Sequence, residues 1–272
     1  MRMDGRLAGI TRRMRSHRLL LALLVLGGCN APDYTPVRDW AATASLAVDF
    51  PRIAGSTVVP PPGAESALPA SQPDGSIVAM QEALATYLQA VATLASDGVL
   101  PYRESPFVEL AARVAPASPS GGHAIASLGL LLRHANRTNA QAPMLRDNIQ
   151  AADPQVQVLI AALLQGVARQ AEAEALSRRE AAGFYAEIEA RSTDAAARQS
   201  LREWARRRDD AFAAQAAARA RYGEILTRVA AGHALLKGRA GRVTREDVVQ
   251  EVRIAEDELR RAALQLRHGA PG

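Results

Sequence analysis

No proline occurs between Pro154 and Pro271, and the intervening stretch is dominated by alanine, arginine, glutamate and leucine. Without a breaker, and built from strong helix formers, such a stretch is committed to long helices. Asp153-Pro154 reads as a cap and first turn, opening a helix that runs to about Arg191. Ser192-Thr193-Asp194 supplies a break with capping side chains, and a second long helix continues to about Lys237. Folding these arms antiparallel about residue 193 gives a hairpin over 154–237. Val156 then falls near Val229 and Ala230, Ile160 near Leu226, and Leu164 near Tyr222. At the far end Phe184 and Ile188 fall near Leu201 and Gln199. Base and tip are apolar on both arms. The middle is expected to be alanine, with Ala171, Ala173 and Ala175 facing Ala211, Ala213 and Ala214. Gly183 and Gly223 are the points where the arms would kink.

The rest of the chain is helical as well, and the fold class is all-α: an elongated antiparallel hairpin packed with shorter helices. Residues 37–50 form a short amphipathic helix with Val37, Trp40, Ala44 and Phe50 near one face, expected to dock on the bundle through Trp40. Residues 51–75 are a proline-rich linker containing Pro60-Pro61-Pro62. Such a composition is extended and semi-rigid. The bundle domain spans 76–268. Its first helix carries the stripe Ile77, Met80, Leu84, Leu88, Val91 and Leu94, and stops at Asp97-Gly98. A short helix starts at Ser105-Pro106, Ala115 to Gly122 is a loop, and helices follow over His123–His134 and Pro143–Ala152. Gly238 to Gly241 reads as a turn, and Thr244 to Asp247 as a capping box. Val248, Val252, Ala255, Leu259, Ala262 and Leu266 then form a narrow seam that should pack on the hairpin.

At the other end, Arg12, Arg13, Arg15 and Arg18 precede the apolar run Leu19–Leu26, two glycines and Cys29, the chain's one cysteine. Eight helical residues rise only about 12 Å, against roughly 30 Å of hydrocarbon, so this segment is too short to span. The arrangement resembles a bacterial lipoprotein signal peptide with Leu26-Gly27-Gly28-Cys29 as its lipobox. The resemblance covers residues 1–30. It implies a signal peptide over 1–28, cleaved between Gly28 and Cys29, and a lipidated leader over 29–36. Cys29 would carry a diacylglyceryl thioether and often an acylated amino group. Two or three acyl chains hold a protein stably at about 0.8 kcal/mol per buried methylene. In enterobacterial members an aspartate after the cysteine marks inner-membrane retention. Asn30 therefore points to the outer membrane, with the protein facing the periplasm.

The formal charge of +5 suggests a nucleic-acid partner only until cleavage is considered. Six arginines and one aspartate lie in residues 1–28, leaving 27 basic and 27 acidic side chains. A neutral mature chain lacks the electrostatic footprint of a nucleic-acid binder. With one cysteine no intramolecular disulfide can form, so packing alone holds the domain.

No catalytic, metal or cofactor site emerges from the motifs. His123 and His134 share a helix face but stand about 16 Å apart, too far to ligate one ion. His233 and His268 look isolated, and all four read as partly exposed helix residues. Gly121-Gly122-His123 reads as turn chemistry in preference to an anion-binding helix start. Glu172, Glu174, Glu180, Glu187 and Glu189 read as a solvated face. Glu203 with Arg207, and Arg206 with Asp210, are spaced for surface pairs.

The expectation is therefore a non-enzymatic envelope lipoprotein, held in the membrane by acyl chains on Cys29 and presenting its hairpin, around residues 184–201, to a protein partner. The alternative is a bundle whose apolar helices at 77–94, 123–134 and 156–168 enclose a small apolar ligand. A third option, a cell-envelope hydrolase, has no catalytic residues to name.

Overall fold

The computed structural model describes residues 33–50, 74–96, 98, 100, 105–138 and 141–269. Seven α-helices follow in order among them: α1 Thr35–Val48, α2 Gly75–Ala95, α3 Phe107–Val114, α4 Pro119–Thr138, α5 Gln141–Arg191, α6 Ala195–Arg239 and α7 Glu246–Gly269. A single 3-10 turn, Ala240–Arg242, joins α6 to α7. No strand occurs among the described residues, and the protein is an all-α bundle built on a long hairpin. From Tyr34 onward the chain forms one compact unit. Leu26, Gly27, Gly28 and Cys29, and most of the linker 51–75, lie outside the described residues.

α2 is the central helix, packed on α1, α3, α4 and α5. Asp74 caps it, its carboxylate accepting from Ser76 N–H at 2.9 Å. The stripe Ile77, Met80, Leu84, Leu88 and Val91 is buried as expected. Ala79, Ala83, Tyr87 and Ala90 are buried too, so the helix is enclosed on most sides. Its length and mean hydropathy would suffice to cross a membrane, but 61% of its most apolar window is covered by the bundle. That coverage marks it as a core helix.

α1 docks by Trp40, which is 1% exposed, with Val37, Ala44 and Val48 alongside. Carbonyls at and just beyond its C-terminus are tied to the bundle by side chains. Tyr222 donates to Val48 O at 2.9 Å, and Gln81 donates to Phe50 O at 3.1 Å and to Tyr222 Oη at 2.9 Å. The seam on α7 is buried at Val248, Val252, Leu259 and Leu266. It packs on α1 as well as on the hairpin arm α6.

Three local expectations fail for identifiable reasons. The loop expected over 115–122 is shorter, because α4 already starts at Pro119. Gly121 and Gly122 therefore lie inside a helix and are neither a turn nor an anion-binding start. They serve close packing: a Cβ on Gly122 would meet Ala111 O at 3.0 Å, and one on Gly121 would meet Ala162 Cβ at 3.3 Å. The helix expected over 143–152 and the arm expected from Pro154 are one continuous helix of 51 residues, with Pro154 inside it. Pro154 and Gln150 are both on the exposed face, where water can satisfy the Gln150 carbonyl that the ring leaves unbonded. Finally, α7 begins at Glu246, leaving Thr244 in the preceding turn instead of capping the helix.

The hairpin is laid out as expected, with the reversal at Ser192–Asp194. Asp194 caps α6, accepting from Ala196 N at 3.1 Å and Ala197 N at 3.3 Å. The register is visible where Gln157 donates to Ala230 O at 3.0 Å and Leu164 lies beside Gly223. Both arms run unbroken through Gly183 and Gly223. The middle differs from expectation. Ala171, Ala173, Ala175 and Ala213 face solvent, and the inner surface there is polar. Arg219, 4% exposed, pairs with Glu174, 10% exposed, across the arms. Glu174 thus belongs to the interior and not to a solvated face. Removing one partner strands a buried charge, so Arg219→Met should cost about 3–5 kcal/mol in urea unfolding. The double change Arg219→Met with Glu174→Leu should recover most of that loss, since a buried pair contributes little over apolar filling.

Candidate functional site: the hairpin and the clamp at its root

At the root of the hairpin, side chains from α2, α5 and α6 meet in a buried polar chain. His233 is fully buried and lies on the same α6 face as Leu226, Val229 and Leu236. Its Nδ1 is 3.0 Å from Asp153 Oδ1, and its Nε2 is 2.8 Å from Tyr87 Oη. Lys237, one turn on from His233, donates to Asp153 Oδ2 at 2.9 Å. Gln157 donates to Asp153 Oδ1 at 3.1 Å. The hydrogen bond from His233, with those from Lys237 and Gln157, outweighs burial and holds the Asp153 carboxyl well below its ordinary range. An ionised Asp153 can only accept, which fixes Nδ1–H as the donor toward it. Burial, reinforced by the Asp153 charge, pushes the Tyr87 phenol far up, so its O–H donates to Nε2.

The order Asp–His–hydroxyl has the connectivity of a catalytic relay. Its burial argues for a different use. Tyr87 is 1% exposed and His233 0%, and Trp40 lies over the His233 ring at 6.4 Å between centroids. A substrate would have to unpack Trp40 to reach either ring. Lys237, about half-exposed, is the end of the chain that meets water. The arrangement is a clamp that locks the hairpin root to α2. It also explains Pro154: three hydrogen bonds on Asp153 hold the residue before the proline in a helical conformation it would otherwise avoid.

His123, His134 and His268 are exposed helix residues, as expected. His233 was the exception, and its isolation in sequence is removed by partners 80 and 146 residues away. Among the described residues no group of histidine, cysteine and carboxylate side chains could hold a metal ion. The helices at 77–94, 123–134 and 156–168 close on one another, with Ile77, Met80, Leu84, Ile125, Leu128, Leu159 and Leu163 all fully buried.

Beyond the clamp the arms continue past the bundle. From about residue 170 to 191 the rise alone is roughly 33 Å. Arg178 makes a two-point contact with Asp209, at 2.5 and 2.7 Å, and Arg202 reaches Glu189 at 2.5 Å. The contact with Arg178 lowers the Asp209 carboxyl. Of the surface pairs expected within α6, Glu203–Arg207 forms, at 4.0 Å. The expected Arg206–Asp210 pair does not form, and Arg206 pairs with no carboxylate among the described residues. Trp204 stays 42% exposed with the Arg207 guanidinium 5.9 Å from its ring centroid, and Leu176 is 53% exposed on the other arm. No family model, curated protein or solved structure matches this chain.

Proposed function

We propose that this chain is a lipid-anchored protein of the bacterial envelope whose hairpin is a contact arm for a protein partner. The observation that carries the reading is the distal hairpin, about residues 170–215. The two arms hold each other through Arg178–Asp209, Arg202–Glu189 and Arg219–Glu174. The bundle core closes around α2 and the hairpin root. An arm that the core does not need, carrying an exposed tryptophan backed by arginine, has the composition that protein interfaces favour at their energetic centres. The anchor rests on the Leu26-Gly27-Gly28-Cys29 resemblance. The acyl chains would hold the protein to the membrane while the arm reaches a partner.

One experiment tests both halves. Wild type and Cys29→Ala are expressed in their host with a photo-crosslinking residue at Trp204 or, as a control, at the exposed Ile254 of α7. The expected result is an acylated mass beginning at Cys29, loss of Cys29→Ala from the membrane fraction, and a discrete adduct from position 204 that position 254 does not give. An unacylated, soluble wild type would overturn the anchor. Identical adducts from both positions would overturn the arm.

A further inference from the structure

The two sides of the distal hairpin are not alike. Residues three or four apart share a helix face. Arg178, Ala182 and Glu189 run along one side of α5, and Arg202 and Asp209 along the same side of α6. There the arms are laced together by Arg178–Asp209 and Glu189–Arg202. At about 100° per residue, Glu180, Phe184 and Glu187 fall on the other side of α5, and Trp204, Arg207 and Ala211 on the other side of α6. No ion pair joins the arms across this second side among the described residues. It carries the aromatic groups instead: Trp204 is 42% exposed beneath the Arg207 guanidinium, and Phe184 is half-buried.

Charge says what fits it. Residues 170–191 hold five glutamates against three arginines, and residues 195–215 hold five arginines against three acids. The acidic arm is thus the complement of the basic one. A second copy, turned by half a turn about the hairpin's long axis, lays its α6 on α5 and its α5 on α6. Each arm then meets the opposite charge, twice over. Such a rotation leaves heights unchanged, so the residue facing a given position is the one already level with it inside the hairpin. Arg178–Asp209 sets that level. Glu180, two residues on, is level with Arg207, and Phe184 with Glu203 or Trp204. Glu180 has no ion-pair partner among the described residues, and Arg207 has only Glu203 at 4.0 Å. A face roughly 33 Å long and about 20 Å wide gives about 650 Å² per copy, or roughly 1,300 Å² in all. That exceeds the roughly 1,000 Å² a specific interface needs.

We propose that two copies pair through this face, their hairpins forming a four-helix bundle in which Trp204 of each packs on Phe184 of the other and Glu180 of each pairs with Arg207 of the other. The inference rests on the reading of the hairpin as a contact arm, and it names the arm's partner as a second copy of this chain.

Sedimentation of the full-length protein, in micelles matched in density by the solvent, reads the protein mass alone. A reversible monomer–dimer equilibrium is expected. Trp204→Ala should weaken it at least about tenfold with the melting temperature unchanged, as an exposed aromatic anchor would. Glu180→Arg alone and Arg207→Glu alone each set like charges opposite one another at two places, and each should weaken the dimer. An equimolar mixture of these two chains should restore it, because every rung of the mixed dimer again joins an arginine to a glutamate. A role confined to one chain gives no such rescue. A monomer at every concentration, indifference to Trp204→Ala, or a mixture no tighter than its parts would each overturn the proposal. The crosslink from position 204 separates this from the reading beneath it. An adduct of twice the chain's mass supports both, whereas an adduct solely with a different protein would overturn the second copy and leave the arm standing.

Discussion

Replacing Asp153 with alanine is expected to destabilise the protein by about 3 kcal/mol, the upper end of the cost of leaving a buried hydrogen-bond donor without its acceptor. The single change leaves His233 without its acceptor, frees Lys237, and removes one of two acceptors from Gln157. For a domain of this size that corresponds to a fall in Tm of about 10 °C. Asp153→Asn should recover part of the loss, since an amide oxygen can still accept from Nδ1–H. Lys237→Ala should cost far less, because its ammonium group is about half-exposed and water can replace it. The same contact predicts a pH dependence. The Asp153 carboxyl is held below its unfolded value, so its contribution is fully present above the ordinary carboxylate range near pH 4. It is lost as pH falls through the lower folded value. Urea unfolding of wild type should therefore weaken progressively below about pH 5, and the Asp153→Asn series should show a shallower acid limb. An equally steep limb in both would place the acid sensitivity elsewhere.

Gly232→Ala is expected to be as damaging, for steric reasons. A Cβ there would lie 2.5 Å from Trp40 Nε1, 2.6 Å from Cζ2 and 2.7 Å from Cε2. These are atoms of a rigid ring enclosed in the core, so the methyl cannot be accommodated by a side-chain swing. Either α1 is displaced from α6 or the ring leaves its pocket, at a cost of about 3 kcal/mol, the upper part of the overpacking range. Trp40→Phe in the same chain should rescue Gly232→Ala, because it removes the part of the ring that clashes. It also removes an indole N–H that is buried without an acceptor. A double-mutant cycle in urea reads the coupling directly, and strict additivity of the two changes would rule out the proposed contact.

The sequence made the hairpin's register legible because its root is apolar on both arms. Val156, Ile160 and Leu164 can satisfy their periodicity only by facing Leu226, Val229 and Tyr222. Trp40 announced the docking of α1 in the same way, as a large ring in a short amphipathic helix. The middle of the hairpin was not legible. Where two arms pack only on each other, seam positions are shielded by long polar side chains, and Glu174 or Arg219 reads as surface. The clamp was hidden for a different reason. Asp153 before Pro154 is the ordinary signature of a helix start, and only tertiary partners from α6 override it. A usable signal did exist: His233 falls in step with Leu226, Val229 and Leu236, and a histidine on an apolar stripe asks for a buried partner.

The clamp has a mechanical consequence. Hydrogen bonds are directional in a way that apolar contacts are not, so the Tyr87–His233–Asp153–Lys237 chain fixes both the position and the rotation of the two arms where they leave the core. The hairpin is then a beam gripped at one end. From Gln157 to Arg191 it is roughly 50 Å long by helical rise, so a tilt of about one degree at the grip moves the far end by about 0.9 Å. A single buried carboxylate thus governs how accurately the far end is aimed, and loosening it would scatter the tip over several ångströms while leaving every residue there chemically unchanged.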